Sequence, residues 1–178
     1  RMLERFIDDS RCDLVSADGK DNALKVVDSL KNLGFAGFLC LVDRDFDHYL
    51  NVSYESHSII YSDHTDAEIM LVRSSALDTV IGELGSNNKV AALGGVEAVR
   101  DLVSERAKIL GAIRVHSAIN QLNLSFEALS LDIVCKKKLS FDRSDLIKKV
   151  YNNSKKQKPS YEDDMSAVDD IVSAQTDP

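Results

Sequence analysis

The segment Phe38-Leu39-Cys40-Leu41-Val42 constrains the fold more than any other part of the chain. It is apolar at every position, is bounded by Gly37, and runs directly into Asp43-Arg44-Asp45-Phe46-Asp47. A strand with one wet face alternates apolar and polar residues. An unbroken apolar run fits a strand covered on both faces, as in a parallel sheet. Parallel strands need a crossover, and the preceding sequence offers one. Cys12-Asp13-Leu14-Val15-Ser16-Ala17 reads as a first strand and Asp18-Gly19-Lys20-Asp21 as a turn. Ala23, Leu24, Val26, Val27, Leu30 and Leu33 then recur at helical spacing until Gly34 stops the helix. Strand, helix and strand within about thirty residues make a βαβ unit and put the chain in the α/β class.

Beyond a polar loop, Ser58-Ile59-Ile60-Tyr61-Ser62 is the third expected strand. Asp66 to Gly85 reads as a helix, with Ile69, Met70, Leu77, Val80, Ile81 and Leu84 on its apolar face, and Ser86-Asn87-Asn88 breaks the pattern. Val96 to about Ile119 is a long helix with Val99, Leu102, Val103, Ala107, Leu110 and Ile113 on one side. Phe126 to Val134 reads as one strand or two short ones, and Lys136-Lys137-Lys138 as a solvated loop. A further helix runs from Leu146 to about Asn152, with Asp142 or Ser144 as its N-cap. Lys155 to Pro159 is linker-like. From Ser160 the chain is acidic, with a weak apolar stripe of Met165, Val168, Ile171 and Val172. These divisions predict one domain over residues 1–155, with a helical insertion at about 68–120, and an acidic C-terminal tail or peripheral helix over 156–178.

A chain of 178 residues that is 44% hydrophobic and 29% charged, with both signs interspersed, has enough apolar material for a core and excludes global disorder. No apolar run reaches bilayer-spanning length, so no membrane association is expected. Arg1-Met2-Leu3-Glu4-Arg5 leads into acidic residues rather than an apolar stretch, which is not a secretory signal pattern. Cys12, Cys40 and Cys135 are far apart and form no CxxC pair, so they read as small core residues of a cytoplasmic protein rather than a disulfide or zinc framework. The net charge of −7 argues against a broad basic face for duplex DNA. It leaves room for a metal-dependent nuclease, whose site is acidic and whose grip on substrate can come from a partner.

The chemistry-bearing residues are carboxylates at expected strand ends. Aspartate is so common here that a DxDxD string arises by chance roughly 0.3 times in this chain, so position carries the argument. Open α/β sheets place ligands at the carboxyl ends of their strands. Asp43, Asp45 and Asp47 follow one strand there. Asp18 projects from the first strand's turn towards the same edge, and Asp63, His64, Asp66 and Glu68 follow the third. Gathered carboxylates repel one another unless a cation or protons neutralise them, and hard oxygen donors suit Mg²⁺, with Mn²⁺ able to replace it. Asp21 is either a ligand or a partner of the helix dipole, and Asp66 and Glu68 also suit a helix start by charge alone.

The order apolar strand, acid-Gly, helix, apolar strand, Asp-x-Asp resembles the Toprim fold of topoisomerases, primases and related nucleases. The added Phe46-Asp47, Asp63, the Asp66-Ala67-Glu68 run and the late Phe141-Asp142 with its helix are similar to a Toprim-like branch found beside ABC-type ATPases in prokaryotic antiphage defence. The likeness covers about residues 12–155. It implies a mainly parallel sheet flanked by helices and a Mg²⁺-dependent nuclease or nuclease-like effector that cleaves DNA or RNA, with an ABC-type ATPase as partner. It implies that Asp43 and Asp45 hold the ion, that Asp47 and Glu68 complete the set or form a second site, and that Asp18 acts as general acid/base. The family carries Glu at the position of Asp18, and a side chain shorter by one methylene can cost on the order of 10²-fold in rate through misplacement.

Lys20 is a phosphate contact or a solvated helix-start lysine, and His64 lies close enough in sequence to assist proton transfer or ligation. Arg44 balances its flanking acids. Arg73 and Arg114 are candidate phosphate contacts with no local support in the sequence. No Walker A, GxSxG or dinucleotide fingerprint is present. Two other readings stand beside the nuclease: a degenerate, non-catalytic Toprim module that binds a partner ATPase, and a phosphotransfer domain, for which no suitable hydroxyl and late lysine can be assigned. Self-association into a homo-oligomer is left open.

Overall fold

A computed structural model describes residues 5, 7, 8, 10–54, 56–127, 129 and 142–174. The chain divides into two compact units, Arg1–Asp45 with Ser53–Met70, and Phe46–Val52 with Leu71–Pro178.

The first unit is α/β. Helix α1 (Lys20–Asn32) packs on β1 (Cys40–Val42), which pairs in parallel with β2 (Ile59–Tyr61) in the register Cys40↔Ile59, Leu41↔Ile60, Val42↔Tyr61. Ala23 and Val27, one helical turn apart, are buried with Val42 and form the apolar centre of this unit. Ser62 N–H donates to Val42 O at 3.0 Å and Cys40 N–H to Ser58 O at 2.7 Å, extending the ladder beyond both ends of the strands.

The expected first strand does not form. Residues 12–17 have no regular structure, and Val15 is 82% exposed. A strand needs a neighbour for its backbone groups. With no partner ladder and only a short apolar stretch, this segment stays in water. Among the described residues the sheet has two strands, so the βαβ unit drawn from 12–42 is not built. The parallel pair is β1 with β2, connected through residues 43–58. Gly19 still makes the turn into α1, with φ of 115° directly after Asp18 at 53°. The first value lies where a Cβ is strained.

The second unit is helical. Helix α2 (Ala67–Arg73) begins in the first unit and ends in the second. The single helix expected from Asp66 to Gly85 breaks at Ser74, and α3 (Ser75–Leu84) follows. Ser74 Oγ accepts from Ala76 N–H at 3.1 Å, an N-cap in the middle of the expected run. Arg100 donates to Arg73 O at 3.0 Å and Ser74 O at 2.9 Å, satisfying carbonyls that the break orphans. Its guanidinium also pairs with Asp78, at 2.5 Å. Next come α4 (Asn87–Ala92), the turn through Gly94 and Gly95, and α5 (Val96–Ile119). Helices thus fill the segment read as a helical insertion.

The core of this unit lies at the C-terminal half of α5. Ile109, Ala112, Ile113 and His116 share one face there, whereas Val99, Leu102, Val103 and Ala107 of the expected stripe are not buried. Helix α6 (Arg143–Asn153) brings Leu146, Ile147, Val150 and Tyr151. Asp142 is its N-cap, accepting from Asp145 N–H at 3.2 Å. Helix α7 (Glu162–Ala174) packs against α5 and α6 through fully buried Val168 and buried Asp164. The segment expected as a tail or peripheral helix therefore completes this core, because its stripe of Met165, Val168, Ile171 and Val172 covers apolar surface that α5 and α6 leave open. Residues 130–141, where a further strand and the Lys136-Lys137-Lys138 loop were expected, lie outside the described residues. No described helix is long and apolar enough to cross a membrane.

Candidate acidic site

The site begins where β1 ends. Val42 is buried, and the chain leaves the sheet at Asp43. Buried Ser62, just past β2, fastens this exit. Its Oγ accepts from Arg44 N–H at 2.9 Å, its own hydroxyl donates to His64 O at 2.6 Å, and its carbonyl accepts from Arg44 Nε at 3.1 Å. Asp45 N–H donates to Thr65 O at 2.8 Å, so the segments after β1 and β2 are tied together strand end to strand end. Asp45 itself is left-handed, with φ of 50°. That conformation is tolerated by aspartate better than by most residues.

Three of the expected acids act on a fourth, Asp43, here. The Asp43 carboxyl is pushed above the ordinary value of 3.8, first by partial burial and then by the negative charges of Asp45, Asp66 and Glu68. Lys20 opposes the shift. Its ammonium donates to Asp45 Oδ2 at 3.1 Å and to Arg44 O at 3.4 Å, and lies 5.8 Å from the centre of the Tyr61 ring. Lys20 is therefore a charge partner of this site rather than a solvated helix-start lysine. Asp66 also shapes the backbone, because its Oδ1 accepts from Ile69 N–H at 2.8 Å and caps α2, and Glu68 lies in that helix's first turn. The helix-start role and the acidic-cluster role of this pair hold together.

The remaining candidates stand apart from that set. Asp18 Oδ1 accepts from the Ser16 hydroxyl at 3.2 Å. Asp21 is exposed in the first turn of α1, where its charge meets the positive end of the helix dipole. Asp63 is exposed, and His64 contributes its backbone carbonyl to Ser62. Asp47 belongs to the second unit, where its carbonyl accepts from Leu50 and Val52 N–H at 3.1 and 2.9 Å. The organising residue that the sequence does not single out is Ser62. Its position directly after an apolar strand is visible, but nothing local announces a hydroxyl that bridges two strand ends.

The donors suit a hard divalent cation by chemistry: they are carboxylates, and Asp43 carries an electrostatic cost that a cation would relieve. They are not drawn into one coordination shell, for among the described residues no three His, Cys, Asp or Glu side chains are grouped to hold a metal ion. Comparison of the chain with protein-family models, curated proteins and solved structures yields no match in any of the three.

Proposed function

We propose that the acidic strand ends of the first unit take up Mg²⁺, or Mn²⁺ in its place, and that the protein is a Toprim-type nuclease or nuclease-like effector acting on phosphodiester bonds of DNA or RNA. The observation that supports this reading is the Asp43 carboxyl at the end of β1, pushed up by partial burial and by the charges of Asp45, Asp66 and Glu68. Asp43 and Asp45 are the residues to hold the ion, with Glu68 as a further oxygen donor. When bound, such an ion stabilises charge on phosphoryl oxygens and acidifies a water. Asp18 supplies the carboxylate that accepts or returns a proton, once released from Ser16. Lys20 offsets the charge of Asp45 without an ion. The defence setting and an ABC-type ATPase partner rest on the family resemblance alone.

A second reading has its own observation. Asp18 is bonded to Ser16, and Lys20 already neutralises Asp45, an arrangement that suits a degenerate module binding a partner without chemistry. Calorimetric titration of Mn²⁺ into the wild type and into Asp43→Asn/Asp45→Asn, followed by cleavage assays on single-stranded DNA and tRNA, tests the first reading. Saturable binding and cleavage, both lost in the double variant, are expected. Cleavage retained by a clean Asp43→Asn preparation would refute the assignment. A large gain in cleavage by Asp18→Glu separates weakened chemistry from a binding role, which predicts no gain.

A further inference from the structure

Arg114 is exposed on α5, directly between buried Ile113 and Val115 in sequence. Its guanidinium carbon is 5.4 Å from the centre of the Phe46 ring and 5.8 Å from that of Phe126, within cation–π range of both. Among the described residues it forms no ion pair with a carboxylate and donates no hydrogen bond. The five N–H donors of a guanidinium suit bidentate binding of an oxyanion. Arg114 borders a cavity of about 410 Å³ that is also lined by Phe46, Ser117, Gln121, Asn123 and Phe126, all in the second unit.

The wall of this cavity is held in place. Leu124 is buried, and its N–H donates to Ser117 Oγ at 3.1 Å. Ser125 N–H donates to Ser154 Oγ at 2.7 Å, and Asn153 Nδ2 donates to Ser125 O at 2.9 Å and Glu127 O at 3.0 Å. Lys156 also donates to Leu122 O. The loop from 122 to 127 is thus bonded to α5 and to the end of α6, so a ligand meets a wall that is already built.

We propose that this cavity is a nucleotide-binding site. Arg114 takes the phosphate, and Phe46, Phe126, Gln121 and Asn123 border the space for a planar base. Arginine beside aromatic rings is the combination by which proteins hold single-stranded nucleic acid without reading its sequence. The proposal does not rest on the metal reading, since none of its residues belongs to the first unit.

The test is fluorescence anisotropy of a labelled oligothymidylate of about ten nucleotides with the full chain, in EDTA so that no divalent ion takes part. Inorganic phosphate, AMP and hexaglutamate serve as competitors. Wild type is expected to bind, with AMP competing at lower concentration than phosphate. Arg114→Met should weaken binding about ten- to a hundredfold, in keeping with the loss of hydrogen bonds to a charged group. Arg114→Lys should recover only part, because an ammonium cannot bind in the same two-pronged way. Phe126→Leu should reduce the advantage of AMP over phosphate. Circular dichroism confirms that each variant is folded, and Arg114→Lys carries the test if the Met variant is not. The proposal is overturned if no probe binds, if both Arg114 variants bind as wild type, if AMP is no better than phosphate, or if hexaglutamate competes as well as AMP, which would mark an acidic-peptide surface.

Discussion

Asp164 should be the most consequential charged residue of the helical unit. It is buried on α7, and its Oδ1 lies 2.9 Å from His116 Nε2 on α5. Asn120 Nδ2, a donor, lies 3.1 Å from His116 Nδ1. That nitrogen is therefore the acceptor, and Nε2 carries the proton that is donated to Asp164. The other carboxylate oxygen is 2.5 Å from the Lys158 ammonium, and the Tyr151 hydroxyl stands beside it. The Tyr151 hydroxyl is pushed well above its ordinary value, mainly by burial and then by Asp164. Asp164→Asn keeps the shape but removes the charge. The charge-assisted bond from His116 is worth about 1.5–3 kcal/mol and a neutral one roughly half of that, and the Lys158 ion pair adds to the loss. The Lys158 side chain is 33% exposed, so solvent takes part of its share. The expected loss is about 2 kcal/mol at neutral pH. Burial alone would raise the Asp164 carboxyl, but the Lys158 ammonium and the His116 hydrogen bond, with the Tyr151 hydroxyl beside them, outweigh it and hold the group below 3.8. A carboxyl depressed in the fold contributes stability above its unfolded value, and that contribution disappears as pH falls through the lower folded value. Urea unfolding followed by far-ultraviolet circular dichroism, at pH values from neutral to below 3.8, measures the gap between wild type and variant. A gap under about 0.5 kcal/mol at neutral pH, or one that persists undiminished well below 3.8, would refute the charge argument and leave shape as the only contribution of Asp164.

Two more outcomes follow from the packing and from the acidic site. Ile113→Ala removes a nearly inaccessible side chain from the centre of the α5–α6–α7 core and should cost about 2–5 kcal/mol by the same unfolding assay. A cost below about 1 kcal/mol would mean that the core collapses onto the cavity. Carbon-detected pH titration should place the Asp43 carboxyl above 3.8, and Lys20→Met should move it further up, since Lys20 is the group that opposes the shift. An unmoved midpoint would mean that Lys20 does not neutralise these acids in solution.

Much of the local structure was legible because it depends on neighbours in sequence. The long helix ending at Ile119, the helix capped by Asp142, the turn at Gly19 and the short parallel strands each follow from periodicity, capping chemistry or an unbroken apolar run. The break at Ser74 was less legible. Serine inside a helical pattern is tolerated, and only Arg100, distant in sequence, makes the interruption comfortable by bonding the freed carbonyls. The segment from Cys12 to Ala17 failed as a strand for the converse reason: its composition permits a strand, but no ladder is there to receive it.

The acidic site shows the same division. Composition and order already put Asp43, Asp45, Asp66 and Glu68 after apolar segments, and charge repulsion makes such a set informative. Which acids act together was decided by Ser62, which ties the end of β1 to the residues after β2, and by the reach of Lys20 from α1. Arg114 carried no signal in one dimension. It gained meaning from Phe46 and Phe126, which are far from it along the chain or across a turn. By itself the sequence determined α1, α5, α6 and the chemical character of the strand ends, because these are set by spacing and side-chain type within a few residues. Only the tertiary structure decided that the acidic C-terminal segment is core, that Asp164 meets His116, and that Arg114 stands between two rings. Each depends on apolar burial and charge pairing between segments whose separation along the chain leaves no local trace.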